Sequence, residues 1–129
     1  QKSDFRKEWD EVRGIYYSRN QYRGHTPAKD GFAYGYGAYV HPSFGNIVED
    51  VATYGDFVYN PEYFKPLLAE TTPAYKIYRG KLTLLYQYGF ITQKAYNSIF
   101  SAAGLSTDKS SMAGYIQASK EFAKPRIWK

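Results

Sequence analysis

Residues 72–104 read TPAYKIYRGKLTLLYQYGFITQKAYNSIFSAAG, and their punctuation decides the fold. Thr72-Pro73 sets a capping side chain before proline at a first helical position, where the missing N–H costs nothing. The helix it starts carries Ile77, Leu82, Leu84, Leu85 and Tyr88, and Gly89 stops it. Thr92 caps the next, which holds Ile99 and Phe100 and closes at Gly104.

The same signals extend outward in both directions. Asn60-Pro61 opens a short helix through Leu68. Before it, Asn46 can cap a helix to about Tyr59, with Ile47, Val48, Val51, Tyr54 and Val58 on one side. After Gly104, a last helix is expected from Ser110 or Ser111 to Phe122, and Pro125 ends it. Near the start, Phe5, Trp9 and Val12 fall at spacings of four and three within a short amphipathic helix from Ser3 to Val12. Between Gly14 and Gly45 the pattern breaks: Gly24, Gly31, Gly35 and Gly37, with Pro27 and Pro42, punctuate a tyrosine-laden loop. At most a short strand, Ala33 to Val40, interrupts it. Loops of that length are uncommon in compact domains unless they bind or cover something. The expected fold is mainly α, a single domain over 1–129: a short helix and a Tyr/Gly-rich loop in 1–45, then about five helices in 46–124.

Composition excludes several classes. A chain of 129 residues with 43% hydrophobic and 22% charged residues can bury one core and lacks the signature of disorder. Its 15 Tyr, 8 Phe and 2 Trp suit a core with wet edges or a cleft. The net charge of +5 is a weak basic bias without a basic stripe, so no nucleic-acid partner is expected. Without cysteine there is neither a disulfide framework nor a thiolate metal site. No apolar run approaches the roughly 20 residues of a membrane span, and QKSDFRKEW at the start has no signal-peptide core. The chain begins without Met, which points to a processed product or a piece of a longer protein. Motifs of the GxGxxG, GxxxxGK[ST], CxxC, GxSxG and HExxH types are all missing from it. Its two histidines, His25 and His41, lie sixteen residues apart in the loop.

The chemistry that is left centres on residues 46–54, NIVEDVATY, where two adjacent acids enter an otherwise apolar run. Glu49 lies in the first turn, where the helix dipole and unpaired N–H groups favour a carboxylate by roughly 0.3–1 kcal/mol. It is also the N3 partner of Asn46 in a capping-box-like pattern. Either role would be purely structural. The functional reading notes Ala52 three residues on, a small side chain that lets another helix approach. A metal site shared between two helices needs such an approach, and a carboxylate with two imidazoles and an open water position is a common catalytic zinc shell.

Glu49-Asp50-Val51-Ala52, preceded by Gly31-Phe32-Ala33-Tyr34-Gly35-Tyr36-Gly37, resembles the downstream half of gluzincin-type zinc metallopeptidases of the lethal-factor-like and zinc-binding lipoprotein groups. There a GFVSxYA-like segment precedes an EDFAE-like helix whose first Glu is the third zinc ligand, while an upstream HExxH helix supplies two histidines and the general base. The resemblance implies that Glu49 binds zinc, that Tyr36 stabilises the oxyanion and that Tyr34, Tyr39 and His41 line the substrate cleft. It further implies a peptide or protein substrate, a secreted or cell-envelope location and an HExxH segment contributed from before Gln1. Thr53 stands where the family has its closing acid, and the loop before Glu49 is longer. One carboxylate cannot hold zinc, which needs about three protein ligands, so this chain alone is expected to be inactive. Two alternatives stand beside this reading: a binding module for a glycan or a peptide, using Tyr16, Tyr17, Tyr22, Phe32, Tyr34, Tyr36 and Tyr39 as a stacking platform, and a structural helical domain.

Overall fold

The computed structural model describes residues 2–12 and 46–123, except for the side chains of residues 2, 3, 10, 46–49, 53 and 123. The described part is mainly helical and contains six helices: α1 (Lys2–Val12), α2 (Asn46–Phe57), α3 (Pro61–Leu68), α4 (Tyr75–Gln87), α5 (Gln93–Ala102) and α6 (Lys109–Ala123). Five of them follow the front segment, as the capping and stop signals predict. The short strand expected at Ala33 to Val40 lies outside the described residues. No helix among the described residues is long and apolar enough to cross a membrane.

Helix α4 is the centre of the packing. Ile77, Tyr78, Leu82, Leu84 and Leu85 are all buried, with α1, α3, α5 and α6 laid around it. Its closest neighbour is α6, and Gly80 makes that approach possible. A Cβ placed there would sit 2.3 Å from the Ser119 Cβ. The Ser119 hydroxyl in turn donates to the Val12 carbonyl at 3.3 Å, tying the end of α1 to α6. Nearby, the Arg79 guanidinium donates twice to the Leu68 carbonyl, at 2.8 and 3.0 Å, which satisfies an orphan acceptor at the end of α3.

The helix ends follow the sequence closely in three places and depart from it in two. Gly89 and Gly104 both take left-handed φ values, 81° and 74°. Each completes a Schellman stop: Phe90 N–H donates to the Leu85 carbonyl, and Leu105 N–H to that of Phe100. Thr92 caps α5 by accepting from the Ala95 N–H at 3.1 Å. Thr72, by contrast, is no cap: its hydroxyl donates to the Pro66 carbonyl at 2.6 Å, and α4 starts at Tyr75 with Ala74 at the N-cap. The Thr72-Pro73 pair builds a turn that closes onto α3 instead of opening α4 directly.

Helix α6 begins slightly before Ser110, because Asp108 is its cap. The Asp108 carboxylate accepts from the Ser111 N–H at 2.8 Å and from the Ser110 hydroxyl at 3.1 Å on one oxygen, and from the Ser106 hydroxyl on the other. The backbone bond from Ser111, joined by these hydroxyls, lowers its pKa from 3.8 to about 2. Such a depressed pKa contributes stability in full above the ordinary value and loses it as pH falls through the folded one. The Asp108→Ala variant is therefore expected to trail the wild type in urea unfolding at pH 6, with the gap closing as pH drops from about 4 towards 2. A gap that stays constant over that range would assign the cap no ionic component.

Candidate functional site

The two acids of residues 46–54 part company in the structure. Asp50 is fully buried, whereas the side chain of Glu49 lies outside the described residues. Tyr34, Tyr36, Tyr39 and His41, and with them His25 and the proposed tyrosine platform, also lie outside them.

What surrounds Asp50 is a charged centre in an aromatic shell. Its Oδ2 accepts from Lys81 Nζ of α4 and from the Trp9 indole N–H of α1, the latter at 3.2 Å. Both ionised side chains are wholly shut from solvent. The Lys81 ammonium lies 5.2 Å from the centroid of the Trp9 ring and 5.5 Å from that of Tyr54, within the range of a cation–π attraction. Trp9 and Tyr54 meet edge to face at 5.9 Å and 87°. Tyr54 also stacks on Phe64 of α3 at 5.8 Å. Four helices therefore converge on one ion pair.

Each participant arrives there for a local reason. Asp50 and Tyr54 are four apart, so one face of α2 carries both. Trp9 lies on the buried stripe of α1 between Phe5 and Val12. Lys81 sits in the most enclosed stretch of α4, Gly80 to Leu85, all of it buried. A buried charge is tolerated only when paired and hydrogen-bonded. Sequence reasoning weighed Glu49 and passed over Asp50 and Lys81. The readable signal was a lysine inside an apolar helical run, matched by an acid one turn before a buried tyrosine.

The outer side of α2 has a different character. Ala52, Gly55 and Asp56 are exposed, and nothing among the described residues lies within 4 Å of where a Gly55 Cβ would be. By the helical repeat of about 100° per residue, position 49 falls on the same side of the axis as Ala52 and Asp56, away from Asp50 and Tyr54. The small residue at 52 is thus on a face that no described residue covers.

A second feature lies towards the other end of α2. Val58, Tyr59 and Pro61 form an open groove of about 280 Å³ with Thr92, Lys94, Ala95 and Ser98 of the α5 start. The Tyr59 ring is 83% exposed beside it. At a rise of about 1.5 Å per residue, this groove is roughly 14 Å along the axis from position 49.

Around α1, a polar cluster closes the rim. Tyr88 donates to Glu8 at 2.8 Å, and Lys120 pairs with Glu8 at 3.4 Å and Glu11 at 3.2 Å. The bond to Glu8, with burial behind it, pushes the Tyr88 hydroxyl up to about 12. For Lys120, burial disfavours the charge, but the bonds and attraction from Glu11 and Glu8 outweigh it and leave its pKa raised. These groups hold α1 against α4 and α6.

Among the described residues, no three His, Cys, Asp or Glu side chains come together in a way that could hold a metal ion. The Asp50–Lys81 pair cannot reach a substrate, since neither side chain meets solvent. What it can do is fix helices relative to one another. No family model, curated protein or solved structure matches this chain.

Proposed function

We propose that the chain is the C-terminal, helical portion of a zinc-dependent metallopeptidase-like protein, with Glu49 as its contribution to the metal shell. The reading rests on the resemblance of residues 49–52 and 31–37 and is supported by one geometric observation. Asp50 is buried against Lys81 and Trp9, while Ala52 and Asp56, which share the side of position 49, are exposed. A face of small and exposed residues leaves room for a second helix. The two imidazoles and the general base would come with that helix, from outside the described residues.

A carboxylate oxygen is a fitting zinc ligand but completes no site alone. Zinc, when held, polarises a scissile carbonyl and lowers the pKa of its water. This chain's own share is narrower: to present the Glu49 carboxylate from a helix whose phase is fixed, with Tyr36 donating towards the oxyanion and Tyr34, Tyr39 and His41 bordering the substrate peptide.

The test is the zinc content and peptide hydrolysis of the complete gene product, wild type against Glu49→Gln. The expected result is zinc in the wild type and a loss of affinity in the variant exceeding the tenfold to hundredfold typical of residues that only support a ligand. Equal zinc content in the two proteins would end this reading. The second reading, a peptide- or glycan-binding module, is favoured by the groove at Val58, Tyr59, Pro61 and Lys94, where an exposed ring stands beside an apolar trough.

A further inference from the structure

Residues 58–61 read VYNP and residues 92–98 read TQKAYNS, and the fold brings these stretches together across one groove. We infer that this groove is a docking site for an acidic peptide segment, which seats one aromatic side chain in the trough and sets its carboxylates against Lys94; the inference rests on the binding-module reading above and does not involve zinc. The buried members of the groove, Val58 and Ala95, are both apolar, and Pro61 and Ser98 line it from α3 and α5. The Tyr59 ring stands 83% exposed beside them. Its backbone is fixed, because the Asn60 N–H donates to the Phe57 carbonyl at 3.0 Å and the Tyr63 N–H to the Asn60 carbonyl at 2.9 Å. A ring carried on such a turn gives up little freedom when a partner covers it.

Size, chemistry and charge choose the occupant. Pockets for whole small molecules run from about 300 to 1,000 Å³. At about 280 Å³ and open to solvent, this groove suits a side chain from a segment passing over it. A glycan is disfavoured, since sugar hydroxyls call for the paired donors and acceptors of carboxylates and side-chain amides, and no lining residue carries either. Lys94 supplies the charge. It is the second residue of α5, where the helix dipole disfavours a cation, and α5 has no acid in its first turn to compensate. The Lys94 side chain is exposed and pairs with no described residue. Asp56 and Glu62, the acids nearest in sequence to Tyr59 and Pro61, stand outside the lining. A carboxylate arriving beside the trough therefore meets an ammonium and the positive end of α5 together, with no acid of the lining to repel it. The net charge of +5 over the whole chain adds attraction at longer range.

Fluorescence anisotropy of the 129-residue chain tests this with three labelled peptides: GSEEFEESG, its neutral counterpart GSQQFQQSG, and GSEEAEESG, which lacks the ring. The first is expected to bind about twofold to fivefold more tightly than the second at low salt, the range of exposed ion pairs, with the gap closing at high salt. It should bind at least about tenfold more tightly than the third, as befits an aromatic anchor. Lys94→Gln is expected to bring GSEEFEESG to the level of GSQQFQQSG and to leave the latter unchanged. Tyr59→Ala should weaken both ring-bearing peptides by at least about tenfold, and Ser98→Tyr, which fills the trough from α5, should do the same. All three side chains are exposed, so the unfolding temperature should stay near that of the wild type. Equal affinities for GSEEFEESG and GSQQFQQSG, both lost in Tyr59→Ala and Ser98→Tyr, would overturn the acidic partner and leave the binding-module reading standing, as would displacement of the peptides by maltohexaose. Concentration-dependent self-association that disappears in Ser98→Tyr would give the groove to a second copy of the chain and overturn the inference. No binding, or affinities unmoved by both Tyr59→Ala and Ser98→Tyr, would overturn the inference and the binding-module reading together.

Discussion

Lys81→Met is expected to destabilise the fold by about 3–5 kcal/mol, the cost of removing one member of a buried ion pair. Methionine fills the space of the lysine stem with a flexible apolar chain, so packing is largely kept. The loss is electrostatic. Asp50 would stay wholly buried and lose the Lys81 ammonium, while still accepting from the Trp9 indole. Against a total stability of about 5–15 kcal/mol for a domain, that is a fifth or more of what holds the chain folded. Adding Asp50→Asn should restore most of it, because two neutral groups of similar volume avoid the desolvation penalty of an ion and the amide oxygen can still accept from Trp9. Urea unfolding of the wild type, the two single variants and the double variant measures the coupling directly. If the double variant loses the sum of the two single losses, the pair has no energetic link and does not couple α2 to α4.

Gly80→Ala should cost about 2 kcal/mol, against the helix propensity that favours alanine by about 1 kcal/mol. The added methyl would lie 2.3 Å from the Ser119 Cβ, 2.6 Å from its hydroxyl and 3.3 Å from the Tyr115 carbonyl. A Cβ is attached to the backbone and cannot swing aside, so α4 and α6 must separate. Overpacking of this kind costs roughly 1–3 kcal/mol, and the strain here is towards the upper end because backbone has to move. Gly114→Ala in α6 is the control, since nothing among the described residues lies within 4 Å of its missing Cβ. There the substitution should stabilise by about 0.4–1 kcal/mol by restricting the unfolded chain. Opposite signs in urea midpoints are the expected result. The same sign at both positions would mean that α4 and α6 are not in the tight contact described.

The helices were legible because their ends are local. Thr92 captures an N–H three residues away, and Gly89 and Gly104 adopt a backbone that other residues avoid. Such signals involve a few neighbours and survive any tertiary arrangement. Thr72 shows where they stop. The pair Thr72-Pro73 is locally as good a start signal as Asn60-Pro61, yet its hydroxyl turns back to Pro66, because the turn after α3 must bring α4 across it.

The candidate site was legible only in part. Residues 46–54 advertise two acids, and the four-residue spacing to Tyr54 puts Asp50 on the apolar face without naming what receives it there. That depends on Lys81 and Trp9, 31 and 41 residues away, and a sequence cannot display a partner at such separation. Lys81 stands out in the sequence only as a lysine inside an apolar helical run, with nothing to name its partner. Gly80 likewise resembles a weak point in a helix until Ser119 is found against it.

By itself, then, the order of residues determined a mainly α chain, the stops at Gly89 and Gly104, and the apolar faces of Phe5, Trp9, Val12 and of Tyr54, Val58. Helix periodicity and capping are properties of neighbours in the chain. Only the tertiary structure decided that Asp50 is the buried acid, that Lys81 neutralises it and that Gly80 admits α6. The physical reason is that a charge takes its interior place from the partner it meets there, and a glycine takes its purpose from the side chain pressed against it.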